Sequence, residues 1–131
     1  MSQWSTIDEW WDDVGEAELR LILWAAWDPI GHVPRDEYDW YTPRLWTLLR
    51  AHAPAFLERA DYDRLSSAEQ DECVDRTIAA ENAVAEQLAD WRTERIGVSA
   101  NAEDDLRVAQ KLHEWLSPAG GEVFRPIDLI R

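Results

Sequence analysis

The chain has 131 residues, which is enough for one domain that buries a sizeable core without disulfides or a structural metal. Its 27 acidic residues outweigh 13 basic ones, and the net charge of -14 argues against direct binding to nucleic acid or to an anionic membrane, since both need Lys and Arg. Nine Trp residues and a hydrophobic content of 46% exclude a disordered acidic tail. Any electrostatic partner should therefore be basic.

Cysteine usage and the first residues bear on the compartment. Cys73 is the only cysteine, so an internal disulfide and a Cys₄ or Cys₂His₂ zinc site are excluded. The start MSQWSTIDEWW has neither the basic nor the apolar region of a signal peptide. No apolar run approaches the ~20 residues of a membrane span. We expect a cytoplasmic protein.

The first strong helical pattern lies in EAELRLILWAAW, after a short acidic segment. Ser5 or Thr6 can cap that segment, IDEWWDD, whose carboxylates suit the positive end of a helix dipole. Pro29 is expected to end the longer helix. Its apolar face recurs at three- and four-residue steps and consists of Leu19, Ile22, Leu23, Ala26 and Trp27.

The next helix is expected to begin near Asp36, at the N-cap, with Glu37 and Asp39 in its first turn. Thr42 and Pro43 fit a second N-cap and N1, so the pattern predicts two short pieces with a kink near Tyr41. A core face is formed by Tyr38, Tyr41, Leu45 and Leu49. Trp40 points about 130° away from that face. Either another helix covers it or it is an exposed anchor.

The longest helix is predicted between a capping box, Ser66-x-x-Glu69, and Gly97 at the C′ position. Its stripe is expected to comprise Val74, Ile78, Glu81, Ala85, Leu88, Arg92 and Ile96. Ser99 or Asn101 caps a last helix, whose core stripe is Leu106, Ala109, Leu112 and Leu116. The tail EVFRPIDLIR fits a docked extended segment, a short strand or a disordered end.

These elements predict an all-α fold, a small single-domain bundle of about four to five helices. We expect the domain to span residues 1–131, with its core in 16–116. Residues 1–14 form a Trp-rich acidic N-terminal segment, and residues 117–131 form the C-terminal tail.

The stretch WDPIGHVPRDEYDWY combines acids, aromatics and prolines, and most of it has a structural explanation. Asp28-Pro29-Ile30-Gly31 fits a type I turn that ends one helix before the next begins. A metal or acid–base site would use His32 with Asp36, Glu37 and Asp39, but no His-x-x-x-His or Glu-x-x-His pair supports it. No phosphate loop or nucleophile elbow is present either. We therefore expect no catalytic residues, no metal and no cofactor.

The WDPIG motif, followed by DEYD, a Tyr and a later ERIGV, resembles a family of small, mostly uncharacterised bacterial proteins. The resemblance covers about residues 16–116, and some similar proteins accompany toxins as immunity proteins. This chain departs from the pattern at His32, where Val is usual, and at Arg95-Ile96. The resemblance implies a helical cytoplasmic domain whose motif residues are Trp27, Asp28, Pro29, Ile30, Gly31, Asp36, Glu37, Tyr38, Asp39 and Tyr41.

The leading hypothesis is a non-catalytic binding protein, an immunity- or antitoxin-like inhibitor that occludes the active site of a basic toxin such as a nuclease. The structural residues of the motif are taken to be Trp27, Asp28, Pro29, Gly31, Tyr38 and Tyr41. The candidate partner-binding residues are His32, Asp36, Glu37, Asp39, Trp40, Trp10, Trp11, Asp12 and Asp13. Two alternatives stay open: a metal-dependent enzyme built on Asp36–Asp39, and a self-associating module that forms a homodimer.

Overall fold

The computed structural model describes residues 4–27, 35–56, 62–97, 101–117 and 124–130, and no residue in these ranges belongs to a strand. The all-α prediction is therefore confirmed. The α-helices are α1 (Ile7–Trp10), α2 (Glu16–Ala26), α3 (Arg35–His52), α4 (Ser67–Trp91), α5 (Ala102–Leu116) and α6 (Ile127–Ile130). A π-helical turn (Trp11–Gly15) joins α1 to α2 without a break, another (Arg92–Ile96) extends α4, and a 3₁₀ turn (Ala53–Ala55) follows α3. None of the described helices combines the length and apolar composition of a membrane span.

Helix ends follow the predicted capping chemistry. The Thr6 side chain accepts a hydrogen bond from the Glu9 amide, and Asn101 does the same for the α5 terminus. Ser66 and Glu69 form the complete capping box of α4. Gly97 has φ +79°, the left-handed conformation that a glycine C′ residue adopts most easily.

Helix α3 differs from the prediction at two points. It is one continuous α-helix with Pro43 inside it, not two pieces, and it begins at Arg35, which places Asp36 within the first turn instead of at the N-cap. The loss of one backbone hydrogen bond at Pro43 is outweighed by packing, because buried residues from both halves of the helix share one face. Those residues are Tyr38, Tyr41, Leu45 and Leu49. The predicted turn at Asp28–Gly31, Pro29 included, and His32 lie outside the described residues.

The core extends beyond residues 16–116. Ile7, Trp10 and Ile127 belong to the same buried cluster as the residues of α2, α3 and α5. Trp10 is only 2% exposed, and its ring lies 5.3 Å from that of Trp115. Trp10, one of the predicted partner-binding residues, is therefore a core residue, because α1 continues into α2 without a break and directs this ring inward.

The structure also differs from the predictions for the C-terminal tail and for the core stripe of α4. Residues Ile127–Ile130 form a helical turn and not an extended segment, because Pro126 starts the turn and the Arg125 side chain binds Asp128. On α4, Val74 and Ile78 are exposed. Leu88 and Arg92 of the predicted stripe are buried, and Ala85 and Ile96 pack against the core. The buried residues of α4 that the prediction missed are Ala80, Val84 and Trp91.

Gly15 is required by the close approach of Trp10. A Cβ at this position would lie 2.6 Å from Cζ3 of the Trp10 ring, which its neighbours hold in place. We expect Gly15→Ala to destabilise the fold by about 1–3 kcal/mol, because overpacking outweighs the gain in helix propensity. Urea unfolding monitored by circular dichroism measures this change. Higher stability of Gly15→Ala would contradict the packing.

Candidate binding groove

Helix α2 carries apolar side chains on two sides. Leu19 and Leu23 are fully buried against the core. On the outer side, Leu21 is 56% and Trp24 43% exposed, and with Ala17 they follow the i, i+4, i+7 spacing of a single helix face. A helix that is apolar around most of its circumference is usually covered on both sides. The outer stripe therefore has the composition of a contact surface.

A groove of about 500 Å³ runs between this stripe and the N-terminal half of α3. Its walls combine the apolar stripe with charged residues from both helices. The lining residues are Ala17, Arg20, Leu21, Trp24, Asp36, Tyr38 and Asp39. Two predicted partner-binding residues, Asp36 and Asp39, thus lie beside the exposed side chains of Leu21 and Trp24, which are not among the predicted partner-binding residues.

Among the side chains that the structure describes, carboxylates outnumber cations around the groove. Arg20 bridges the two helices, with its guanidinium 2.8 Å from Glu16 on α2 and 2.8 Å from Asp39 on α3. Asp36 is exposed and adds a further negative charge to the lining. These four side chains together carry a charge of -2, which is three carboxylates less one guanidinium. The groove is therefore an apolar surface with an acidic edge.

Trp40 is covered and does not form an open anchor. Its ring meets Trp91 edge-on, with the centroids 5.8 Å apart. The guanidinium carbons of Arg44 and Arg95 lie 3.9 Å and 3.7 Å from the Trp40 centroid, so the two cations must occupy opposite faces of the ring. Glu37 lies 3.5 Å from Arg95 and belongs to this cluster, not to the groove.

The predicted partner-binding residues near the N-terminus lie in a region separate from the groove. Trp11 is half-buried and stacks on Trp46, with ring centroids 4.4 Å apart and planes 3° from parallel. Asp13 accepts a hydrogen bond from the indole of Trp4, and Asp12 is exposed. The structure therefore does not unite these residues with Asp36 and Asp39 in one lining.

Trp27 belongs to a buried polar cluster behind the groove. Its indole N–H donates to Oδ1 of Asp105 at 3.0 Å, and Arg92 donates to the same oxygen at 2.6 Å. The Asp105 side chain is 1% and the Arg92 side chain 6% exposed. The Tyr38 hydroxyl donates to the Trp27 carbonyl oxygen at 3.3 Å. This cluster joins the end of α2 to α3, α5 and the π-helical turn after α4.

Tyr41 lies beside this cluster, in the core. Burial raises the pKa of its hydroxyl above the ordinary tyrosine value, the charge of Glu37 adds to the rise, and Arg95 opposes it. The hydroxyl therefore stays protonated at neutral pH, and Tyr41 serves as an aromatic core residue.

The sequence of α2 contains a signal for the groove, because two of its large apolar residues lie outside the predicted core stripe. Leu21 and Trp24 are large apolar residues that fall outside the face of Leu19 and Leu23 on the same helix. A second apolar face on a short helix indicates a further contact.

Potential metal ligands do not gather into groups of three or more His, Cys, Asp or Glu within the described ranges. The groove itself holds Asp36 and Asp39, with Asp39 bound to Arg20. Its geometry offers apolar contact and ion pairing. Comparison with protein-family models, curated proteins and solved structures finds no match for this chain.

Proposed function

We propose that this chain is a non-catalytic acidic binding protein of the cytoplasm, which works without a cofactor and neutralises a basic toxin such as a nuclease. The observation that carries the proposal is the exposed apolar stripe of α2, edged by the carboxylates of α3, on a protein with a net charge of -14. The resemblance of its WDPIG and DEYD motifs to immunity-like proteins supports the same class.

Inhibition would follow from occlusion of the toxin's active site. A nuclease needs a cationic surface to bind phosphates, and the acidic edge of the groove offers competing negative charges to that surface. Leu21 and Trp24 would be desolvated at the centre of the contact, where apolar and aromatic side chains contribute most to affinity. The surrounding carboxylates would accelerate association and disfavour acidic partners.

The test uses the products of the open reading frames beside the gene. Each is co-expressed with the chain, any complex is purified, and the activity and binding of that product are measured with the purified chain. We expect one basic product to be inhibited stoichiometrically, with affinity that falls as salt rises from about 50 to 500 mM. Absence of any inhibited neighbour, or equal affinity at both salt concentrations, would contradict the proposal.

The double variant Asp36→Asn/Asp39→Asn should bind that product about tenfold more weakly, because it removes two charges from the edge of the groove. Asp71→Asn/Asp75→Asn is the matched control, since it removes two exposed charges from α4. Isothermal titration calorimetry at low salt measures both. Equal losses for the two variants would show that net charge alone matters and that the groove is not the contact.

Sedimentation of the isolated chain separates this proposal from a self-associating module. Two copies that met through the groove about a two-fold axis would bring two sets of Asp36 and Asp39 together. That repulsion favours a basic partner over a second copy. A stable dimer that is lost in Trp24→Ala would support the homodimer instead.

A further inference from the structure

From the groove between α2 and α3, we infer that its occupant is an amphipathic basic helix of the partner, which lies along the stripe of Ala17, Leu21 and Trp24 as an additional helix of the bundle. This inference rests on the proposed function and adds the secondary structure of the segment that binds. Three observations carry it: the spacing of the exposed apolar residues, the absence of strands from the described ranges, and the charges at the edge.

The apolar stripe has the form of one half of a helix–helix contact. Ala17, Leu21 and Trp24 lie within eight residues of α2, and the seven steps of 1.5 Å between the first and the last place them about 10 Å apart. Small Ala17 at one end leaves space for a close approach, while Trp24 at the other end offers a large apolar area. Helices pack by placing rows of side chains into such grooves, with axes about 8–10 Å apart.

An extended segment fits this surface poorly. A bound strand obtains its main-chain hydrogen bonds from the edge of a sheet, and the described part of this chain contains no strand. Against Leu21 and Trp24 its N–H and C=O groups would lose water without gaining partners, which is costly. A helix satisfies these groups internally and can present an apolar face to the stripe.

The charges around the groove determine which residues should flank the apolar face of the bound helix. Asp36 and Asp39 border the groove on the α3 side, and Arg20, which lines it from α2, is bound to both Glu16 and Asp39. A helix in the groove would therefore have more carboxylates than cations along the α3 side of its apolar face. Lys and Arg at the flanking positions would pair with these carboxylates, whereas Asp and Glu would be repelled.

The experiment compares two synthetic peptides of the same composition, Leu, Ala and Lys, each about 16 residues long so that a helix would exceed the stripe in length. In one peptide the Leu residues recur at three and four residues; in the other they alternate with Lys as in a strand. Each is titrated into the ¹⁵N-labelled full chain at about 150 mM salt, where attraction between exposed charges more than about 8 Å apart is largely screened. The indole N–H resonance of Trp24, assigned with Trp24→Phe, reports occupancy of the groove.

We expect the helical peptide to shift the Trp24 resonance and to bind at least about tenfold more tightly than the alternating peptide. Leu21→Ala should weaken binding, while Ile78→Ala, which shortens an exposed apolar side chain on α4, should leave it unchanged. Equal binding of both peptides, an unshifted Trp24 resonance, or an equal effect of Ile78→Ala would overturn the inference.

The peptide experiment can fail or succeed independently of the toxin-inhibition experiment that tests the proposed function. If Leu21→Ala abolishes inhibition of a neighbouring toxin but the helical peptide does not bind, the groove is the contact and its occupant is not a helix. If the peptide binds in the groove but no neighbouring product is inhibited, the helix-binding surface stands and the toxin proposal fails.

Discussion

Asp105→Ala is expected to lower the free energy of unfolding by about 3–5 kcal/mol, because it leaves a buried cation without its partner. The reason is the guanidinium of Arg92, which donates to Asp105 at 2.6 Å and is 6% exposed. Without the carboxylate, this cation would be buried without a counter-charge, and the indole N–H of Trp27 would lose its acceptor. Chemical denaturation followed by circular dichroism measures the change.

Two controls separate the effect of breaking the Arg92–Asp105 ion pair from the effect of removing any one charge. Glu103→Ala removes an exposed carboxylate two residues away and should change stability by less than about 0.5 kcal/mol. Arg92→Leu/Asp105→Leu removes both charges and should cost less than Asp105→Ala alone, because no ion is left unpaired. A cost for Asp105→Ala as small as that for Glu103→Ala would show that the pair does not hold these helices together.

The second large effect concerns two adjacent tryptophans. Trp10→Ala is expected to cost about 3–5 kcal/mol, since it opens a cavity in the core among Trp46, Trp115 and Phe124. Trp11→Ala, at a half-buried position, should cost about 1–2 kcal/mol through loss of its stacking on Trp46. Thermal unfolding of both variants measures the difference. Equal losses would mean that the N-terminal segment packs differently.

Local chemistry made much of the fold predictable. The caps at Thr6, Ser66 and Asn101 depend on residues three positions away, so their pattern is visible in the sequence. The inward face of Tyr38 and Tyr41 follows from helical periodicity in the same way. These predictions need no knowledge of neighbouring helices.

The burial of residues on α4 was predicted incorrectly where it depends on how a neighbouring helix packs. Helix α4 faces the core with Ala80, Val84, Leu88 and Trp91, and Ile78 lies about 200° around the helix axis from Ala80. Val74 is on the same side as Ile78, and both residues are exposed. Sequence periodicity offers two overlapping apolar stripes on α4 and cannot show which of them will pack against α5.

The candidate site was predictable only in part. Asp36 and Asp39 are predictable from their position at a helix start, and both residues line the groove. Trp40 was a candidate because it points away from the core face, yet Arg44 and Arg95 cover both faces of its ring. Arg95 is more than fifty residues further along the chain, and no local pattern indicates that it returns to this position.

The contacts of the core also set the order in which the protein can reach its native state during synthesis. Trp115 donates to Glu18, 97 residues earlier, and Trp27 donates to Asp105 across 78 residues. Ile127 packs into the same core as Ile7. The residues of α1 and α2 lack these partners until Asp105, Trp115 and Ile127 have been synthesised in turn. The aromatic residues of α1 and α2 therefore remain without this native cover while the intervening residues are synthesised, and such long-range contacts slow folding.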